Sequence, residues 1–375
     1  MIPAVFQSAF QLELHRLQET GRYRTFRPRL LFASNDYLGL TGHPRMIRET
    51  ALAVKKFGTG MGASRLVAGN HRLHERVESD LAALKKTAGA LLFSSGYLTH
   101  IGVVPTLVGA GDLLFSDRLN HASLVDACRL SRAEVVIYPH GEVDFIAARL
   151  RQNPPRSDAR ILIATDGVFS MDGDLAPLPD LLNLAREYEA LVLVDDAHAT
   201  GVLGPHGEGS TGHWGIDPEN LFTMGTFSKA LGALGGFVAG PEILMDYLRN
   251  QARTLFYSTA LPPAVCASVV CALTLLREEP GLLAALRRNI AYLRAGLQAL
   301  GLPVPQEGIP IFPIIVGAEE RALRLAQALG DRDIYIPAIR PPTVPAKQCR
   351  LRISLTASHT GEQLDILLEA LQRLL

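Results

Sequence analysis

The chain has 375 residues, enough for two or three domains around a large buried core. Its 37 lysines and arginines balance 37 acidic residues, which argues against a basic surface for nucleic acid and against an acidic tail. A hydrophobic share of 48% with 20% charged residues is typical of a globular protein and excludes general disorder.

Cysteine spacing and apolar segments indicate whether the protein is cytoplasmic, secreted or in a membrane. The four cysteines form no C-x-x-C pair, so we expect reduced thiols in a cytoplasmic protein. The N-terminus has no basic stretch ahead of an apolar one, so no signal peptide is expected. Residues 87–111 and 254–276 are uncharged and long enough for membrane spans, but glycine and proline interrupt them. We interpret both as buried elements of a globular protein, with no membrane contact.

Residues 1–39 are predicted to form a helical arm followed by an irregular segment. Apolar residues recur at helical spacing over 7–17. Four arginines then follow within a few residues, which indicates either a solvated linker or the edge of a pocket for a carboxylate. They are Arg22, Arg24, Arg27 and Arg29.

From about residue 45 to 275, short apolar runs alternate with helical patterns such as 178–188. This βαβ rhythm predicts a mainly parallel sheet that helices cover on both faces. The predicted strands are 90–94, 112–116, 134–138, 161–165, 191–195, 221–225 and 236–239.

After Pro262 and Pro263 the pattern changes to long helices over 264–277 and 280–300. A closing amphipathic helix over 361–375 and strands between it and the long helices predict a smaller α+β domain. Those strands are 311–316, 335–339 and 350–355. We therefore divide the chain into an arm (1–39), a large domain (40–280) and a small C-terminal domain (281–375).

Polar side chains gather where the predicted parallel strands end, which is where such sheets bind ligands. Asp195 and His198 follow one strand, Thr226 and Lys229 follow the next, and Gly96 opens a helix. A lysine amine, a carboxylate for a ring nitrogen, and hydroxyls and N–H groups for a phosphate are what pyridoxal 5'-phosphate (PLP) requires. The order strand-Asp-x-x-His, then strand-Thr-x-x-Lys, predicts a PLP site.

Each of these residues also has an ordinary interpretation. Lys229 alone fits a surface lysine, and Asp195 alone fits a cap of the following turn. His198 with Asp196 and a later histidine would offer zinc ligands, so a metal-dependent hydrolase on Asp195, Asp196 and His198 is one alternative. A non-catalytic PLP-binding regulatory domain is another, although it would normally carry a DNA-binding extension.

Longer stretches narrow the assignment. They are SNDYLGL (34–40), GASRLVAGNHRLHERVE (62–78), LLFSSGY (91–97), LNHASL (119–124), GVFSMDGDLAPL (167–178), VDDAHATGVLG (194–204), YSTALPP (257–263) and AIRPPTVP (338–345). In these stretches the chain resembles the α-oxoamine synthases, from residue 34 to about 360. The resemblance implies an α/β fold of the fold-type-I PLP-dependent transferases, with a mainly parallel sheet in the large domain and a smaller α+β C-terminal domain. Ala199 and His100 stand where the family usually has glycine and asparagine.

The resemblance also implies roles for individual residues. Lys229 would hold the cofactor and act as the base, Asp195 would partner the ring nitrogen, His121 would stack on the ring, and His198 would reach the ring O3′. The other cofactor contacts implied are Gly96, Tyr97, Ser170, Thr226 and Thr259, the last from a partner subunit. The substrate contacts implied are His121, Asn35, Arg24, Thr343 and Arg352, with Arg352 as the anchor of the amino-acid carboxylate.

Within the family, SRLVAGN and IRPPTVP favour the member of biotin biosynthesis. That resemblance implies decarboxylative condensation of L-alanine with pimeloyl-CoA or pimeloyl-acyl carrier protein, in a homodimer with shared active sites. Another α-oxoamine synthase, of the 2-amino-3-ketobutyrate CoA ligase or 5-aminolevulinate synthase type, is the alternative. No metal is implied.

Overall fold

The computed structural model describes residues 2–19, 30–217, 221–306 and 308–375. In chain order its elements are α1 (Ala4–Glu19), β1 (Leu30–Leu31), a 3-10 helix (Leu40–Gly42), α2 (Pro44–Phe57), α3 (Arg72–Lys85), β2 (Gly89–Phe93), α4 (Gly96–Leu107), β3 (Leu113–Asp117), α5 (Ala122–Leu130), β4 (Glu134–Tyr138), α6 (Val143–Gln152), β5 (Ile161–Asp166), α7 (Leu178–Glu187), β6 (Leu191–Asp195), α8 (Ser210–Trp214), β7 (Leu221–Thr226), β8 (Gly236–Gly240), α9 (Glu242–Gln251), α10 (Arg253–Phe256), α11 (Pro263–Glu278), α12 (Gly281–Ala299), β9 (Ile311–Gly317), α13 (Glu319–Gly330), β10 (Ile334–Tyr335), β11 (Ala338–Ile339), β12 (Cys349–Ser354) and α14 (Gly361–Leu374).

Across the described residues, the largest sheet has seven strands in the order β2-β8-β7-β6-β5-β3-β4. Strands β4, β3, β5, β6 and β7 are mutually parallel, which confirms the mainly parallel sheet. Strand β8 is antiparallel to both β7 and β2, a reversal that was not predicted from the sequence. The short connection from Thr226 to Gly236 explains the reversal, because a parallel return needs a longer crossover.

Helices cover both faces of this sheet. Leu193 of β6 joins a core that includes Val103 of α4 and Leu248 of α9. Its neighbour Val192 joins a second core with Leu181 of α7. Successive strand residues point to opposite faces, so these runs are apolar throughout because both faces are buried.

The described chain divides into two compact units. One contains residues 34–312 and 354–368, including the seven-stranded sheet. The other contains residues up to 33 together with 313–353 and 369–375. In this second unit β1 pairs in parallel with β10, and β11 pairs antiparallel with β12. The three-part division at residues 39 and 280 stays a proposal.

One predicted strand is wrong in detail. Residues 335–339 form parts of two strands in different sheets, β10 and β11, instead of one continuous strand. Pro337 lies between them, and its lack of an N–H group interrupts a ladder of hydrogen bonds. Its carbonyl accepts from the Arg352 amide at 3.4 Å, which holds β11 beside β12.

The two uncharged segments are ordinary elements of the fold. Residues 87–111 contain β2 and α4, and residues 254–276 contain most of α10 and α11. Over the residues that the structure describes, no helix is both long enough and apolar enough to cross a membrane. All four cysteines are unpaired and buried.

Candidate active site

A cavity of about 310 Å³ lies at the carboxyl ends of β5, β6 and β7, beside the first turn of α4. This is the edge at which the sequence predicted a ligand. The predicted site residues that line it are Asn35, Gly96, Tyr97, His121, Asp195, His198, Thr226 and Lys229. The structure therefore gathers groups that are far apart in the sequence around one small volume.

Lys229 lies in the connection between β7 and β8, and a line of polar groups holds its amine. The Nζ atom lies 2.7 Å from Nε2 of His198, whose Nδ1 lies 2.6 Å from the Tyr37 hydroxyl. Tyr37 is fully buried, and its hydroxyl donates to Oδ1 of Asn35 at 3.2 Å. Because that hydroxyl has one proton, it accepts from His198 Nδ1–H, and His198 Nε2 then accepts from the lysine. The amine is thereby directed to a defined place on the cavity wall.

Asp195 is the last residue of β6 and is 5% exposed. Its Oδ1 accepts from the Ala197 amide at 2.9 Å, and its Oδ2 lies 3.2 Å from Nε2 of His100. Burial by itself would raise the pKa of Asp195. The nearby charges of His100 and Lys229 outweigh burial and lower that pKa to about 2. The cavity thus holds a carboxylate that is ionised at every physiological pH.

His121 caps the N-terminus of α5, where its Nδ1 accepts from the Ser123 amide at 3.3 Å. Burial lowers the pKa of this imidazole. The charge of Asp195 would raise that pKa, but the charges of Lys229 and His100 lower it further. The ring is therefore neutral at pH 7. A neutral imidazole at the cavity wall is suited to packing on a flat aromatic ligand.

The first turn of α4 forms an anion-binding end of the cavity. The Ser95 hydroxyl caps the helix by accepting from the Leu98 amide. The N–H groups of Gly96 and Tyr97 lie in the first turn, where a helix offers them no carbonyl partner of its own. A Cβ on Gly236 would come within 2.5 Å of the Gly96 nitrogen, so glycine there is what lets β8 approach the helix start. The Thr226 hydroxyl stands beside it and donates to the Gly235 carbonyl at 2.7 Å.

Two other predicted site residues of the same unit, Ser170 and Thr259, are not among the residues that line this cavity. Ser170 follows β5 but is not part of the wall. Thr259 pairs through its backbone with Ser64 and accepts from the Ser94 hydroxyl at 3.3 Å. Arg352, in β12, and Thr343 belong to the compact unit that contains residues 313–353. Arg24 lies outside the described residues.

Several groups in and behind the cavity wall were not predicted from the sequence. Ser228, Asp166, His100 and Ser123 line the cavity, and Tyr37 supports His198 from behind. His100 lies one helical turn after Gly96, so helical spacing could have placed both on one face. No comparable signal in the sequence pairs Tyr37 with His198.

The zinc alternative finds no support in the contacts of Asp196. Its carboxylate is fully buried and accepts from Nζ of Lys85 at 2.7 Å and from the Ser210 amide. Over the part of the chain that the structure describes, no three His, Cys, Asp or Glu side chains are grouped to hold a metal ion.

A larger cavity, of about 450 Å³, lies between α3, α11 and α12. Leucines line much of it, with Asp80, Arg277 and Arg287 also present. It brings together no lysine, histidine and carboxylate in contact with one another. The smaller cavity is therefore the candidate active site, because it contains a lysine, histidines and carboxylates close to one another.

Comparison with known proteins identifies the family of the chain. Residues 27–371 match the family model described as aminotransferase class I and II. A protein named 8-amino-7-oxononanoate synthase from Methylococcus capsulatus is 48% identical over 345 residues, which cover 92% of this chain and 88% of that protein.

Two solved structures extend the comparison. A serine palmitoyltransferase variant from S. paucimobilis, with a bound PLP–myriocin aldimine, has a TM-score of 0.91 at 30% identity and covers 100% of this chain and 98% of its own. The 8-amino-7-oxononanoate synthase of Francisella tularensis has a TM-score of 0.78 at 29% identity and covers 92% of this chain and 97% of its own. The fold is that of the fold-type-I PLP transferases.

The chain belongs to the aminotransferase class I and II family and, within it, to the 8-amino-7-oxononanoate synthases.

Proposed function

We propose that this protein condenses L-alanine with a pimeloyl thioester to give 8-amino-7-oxononanoate, CO2 and the free thiol carrier, a step of biotin biosynthesis. PLP is the cofactor. The observation that carries the proposal is the placement of Lys229 and Asp195 on one cavity at the N-terminus of α4, in a chain 48% identical to a named synthase.

The residues of the cavity fit PLP. Lys229 provides the amine for its aldehyde carbon and ionised Asp195 the partner for its ring nitrogen. Neutral His121 would pack on the ring face, and His198 would bind O3′. The amides of Gly96 and Tyr97, with Thr226, would hold the phosphate at the helix N-terminus. Apart from the ring packing of His121, each of these contacts would join groups of opposite charge or complementary hydrogen bonding.

Bound PLP supplies a protonated ring that accepts electrons from the substrate Cα. The side chains around it move and direct protons. The amine of Lys229 takes the Cα proton of alanine, and His198, 2.7 Å from that amine, holds it in place. Asp195 stays ionised and so keeps a proton on the group it faces.

The bond changes balance with these proton transfers. The alanine Cα bonds to the thioester carbonyl carbon, and the C–S bond breaks to release the thiol carrier. The alanine carboxylate leaves as CO2, and a proton takes its place at Cα.

Substrate contacts complete the proposal. Arg352 would bind the alanine carboxylate, because a planar guanidinium can make two parallel hydrogen bonds to it. Asn35, on the cavity wall, would assist. Arg24 and Thr343 would contact the acyl substrate, and Ser170 would lie near the ring.

Two further parts of the proposal concern assembly and compartment. In a homodimer with shared active sites, Thr259 would contact the phosphate of the PLP that is bound in the partner subunit. A cytoplasmic location is supported by the biosynthetic reaction and by four unpaired cysteines.

The test is a substrate panel on the purified, PLP-loaded full chain. Alanine is combined with pimeloyl-CoA and, separately, with pimeloyl-acyl carrier protein, and the ketone product is measured by mass spectrometry. Glycine with acetyl-CoA or succinyl-CoA tests the sister activities. Lys229→Ala should abolish product, whereas Lys55→Ala, at an exposed lysine of α2, should not. Product from glycine alone would contradict the proposal.

A further inference from the structure

His100 lies in the wall of the proposed active site and contacts two other groups of that wall. It is 2% exposed and stands on α4 at the cavity. Its Nε2 lies 3.2 Å from Oδ2 of Asp195. Its Nδ1 lies 3.1 Å from the Ser123 hydroxyl, which in turn lies 2.7 Å from Nδ1 of His121. One imidazole thus connects the ring-nitrogen carboxylate to the ring-stacking histidine.

The direction of each hydrogen bond in this line follows from the helix cap. Nδ1 of His121 accepts from the Ser123 amide, so it carries no proton. The Ser123 hydroxyl must then donate to that nitrogen. A hydroxyl has one proton, so its oxygen accepts from His100, and Nδ1 of His100 carries a proton.

The second nitrogen of His100 faces a carboxylate. An unprotonated Nε2 carries a partial negative charge, which at 3.2 Å from Oδ2 of Asp195 is repulsive. A proton on Nε2 makes the contact attractive, although the pair is out of hydrogen-bond alignment. Both nitrogens therefore carry protons, and His100 is a buried imidazolium paired with Asp195.

We propose that His100 is a positioning residue: as an imidazolium it holds the Asp195 carboxylate at the cavity and, through Ser123, fixes His121 in the tautomer with its proton on Nε2. The roles of Asp195 and His121 toward PLP rest on the function proposed above. The protonation state and the line of hydrogen bonds do not.

The first experiment needs neither cofactor nor turnover. In the full chain labelled with ¹⁵N-histidine and free of PLP, His100 should show two protonated nitrogens at pH 7, and His121 should show a bare Nδ1. Ser123→Ala should change the His121 signal and leave His100 protonated. A neutral His100 in the wild-type chain would overturn the inference, whatever the enzyme catalyses.

The second experiment separates the contact of His100 with Asp195 from its contact with Ser123, in the PLP-loaded enzyme. His100→Asn removes the positive charge beside Asp195 and is too short to span both contacts, so the PLP dissociation constant should rise about tenfold. The kcat should fall while KM for alanine changes much less. Ser123→Ala should lower kcat and leave PLP affinity near that of the wild type.

A matched control measures the effect of a destabilising substitution elsewhere in α4. Val103→Ala, one turn along in the buried core, should lower Tm but leave PLP affinity and kcat unchanged. Wild-type PLP affinity and kcat in His100→Asn, or losses in Val103→Ala equal to those of His100→Asn, would overturn the inference. Failure of the wild type to bind PLP would instead overturn the proposed function.

Discussion

Asp166 and Asp195 are directly paired in the register of β5 and β6, yet their pKa values shift in opposite directions. Burial and the charge of Asp195 raise the pKa of Asp166 well above its ordinary value. Asp195, with His100 and Lys229 beside it, has a pKa of about 2. The pKa values of two carboxyls on neighbouring strand ends are therefore driven apart, because His100 contacts Asp195, whereas burial and the charge of Asp195 outweigh Lys229 at Asp166.

This division leads to a prediction for Asp195→Asn. The amide keeps the shape of the side chain but removes the anion, so the cofactor ring should lose its proton and its capacity to accept electrons. Turnover should fall by orders of magnitude while PLP still becomes attached to Lys229. Absorbance spectra and steady-state rates check both parts. Near-normal turnover would show that Asp195 does not have this role.

Lys229 should be the point of covalent attachment. Borohydride reduction of the holoenzyme followed by peptide mapping should place the label on Lys229, whose amine stands on the cavity wall. Lys85 is the internal control, because its ammonium is buried against Asp196 and Thr200. A label on any lysine other than Lys229 would end this assignment.

The Tyr37 hydroxyl should matter more than an exposed one. Tyr37→Phe removes the group that Nδ1 of His198 contacts at 2.6 Å, so we expect a loss of about 1 kcal/mol in stability and a lower kcat. Tyr292→Phe is the matched control, since its hydroxyl bonds Asp365 on a side chain that is 46% exposed. Urea unfolding and initial rates measure the two effects. Equal kcat in Tyr37→Phe and wild type would contradict a supporting role.

Arg352→Lys should weaken alanine binding by ~1.5–3 kcal/mol, the range for hydrogen bonds to charged groups. PLP occupancy and KM for the pimeloyl thioester should change far less. Alanine titration followed by cofactor absorbance measures the affinity. Arg350→Lys, at another buried arginine of β12, controls for folding. Unaltered alanine affinity would remove the anchor role, and a collapse in Tm would favour a structural one.

His140 predicts a pH dependence of stability. Hydrogen bonds to Asp117 and Asp174, at 3.0 and 2.6 Å, raise its pKa to about 10 from an ordinary 6.5. The folded state therefore binds the extra proton between these values, so the stabilisation is full below pH 6.5 and is lost as pH rises through about 10.

His140→Gln should accordingly lower Tm most at pH 6, and the deficit should narrow as the pH rises toward 10. Melting curves across that range check it. His15→Gln, at an exposed histidine beside Glu19, should show no such trend. A deficit that stays constant with pH would mean that the His140 contacts do not depend on its charge.

Much of the fold was predictable because it depends on local pattern. The run 191–194 is apolar at every position, which is typical of a strand buried on both faces. The same spacing places Asp195, Thr226 and the start of α4 at strand ends, and strand ends of a parallel sheet share one edge. The reversal of β8 was not predictable from its own residues, because direction depends on the connection and on both neighbouring strands.

The sequence by itself determined which chemical groups the site contains: a lysine, an acid, two histidines and a helix N-terminus, each tied to its strand or helix by local spacing. Only the tertiary structure decided their state. Asp195 is an anion because α4 brings His100 within 3.2 Å, whereas burial and the charge of Asp195 raise the pKa of Asp166. Tyr37 meets His198 across 161 positions of the chain. Such contacts between distant elements depend on how whole helices and strands pack, and the protonation of a buried group depends on every charge that this packing brings near it.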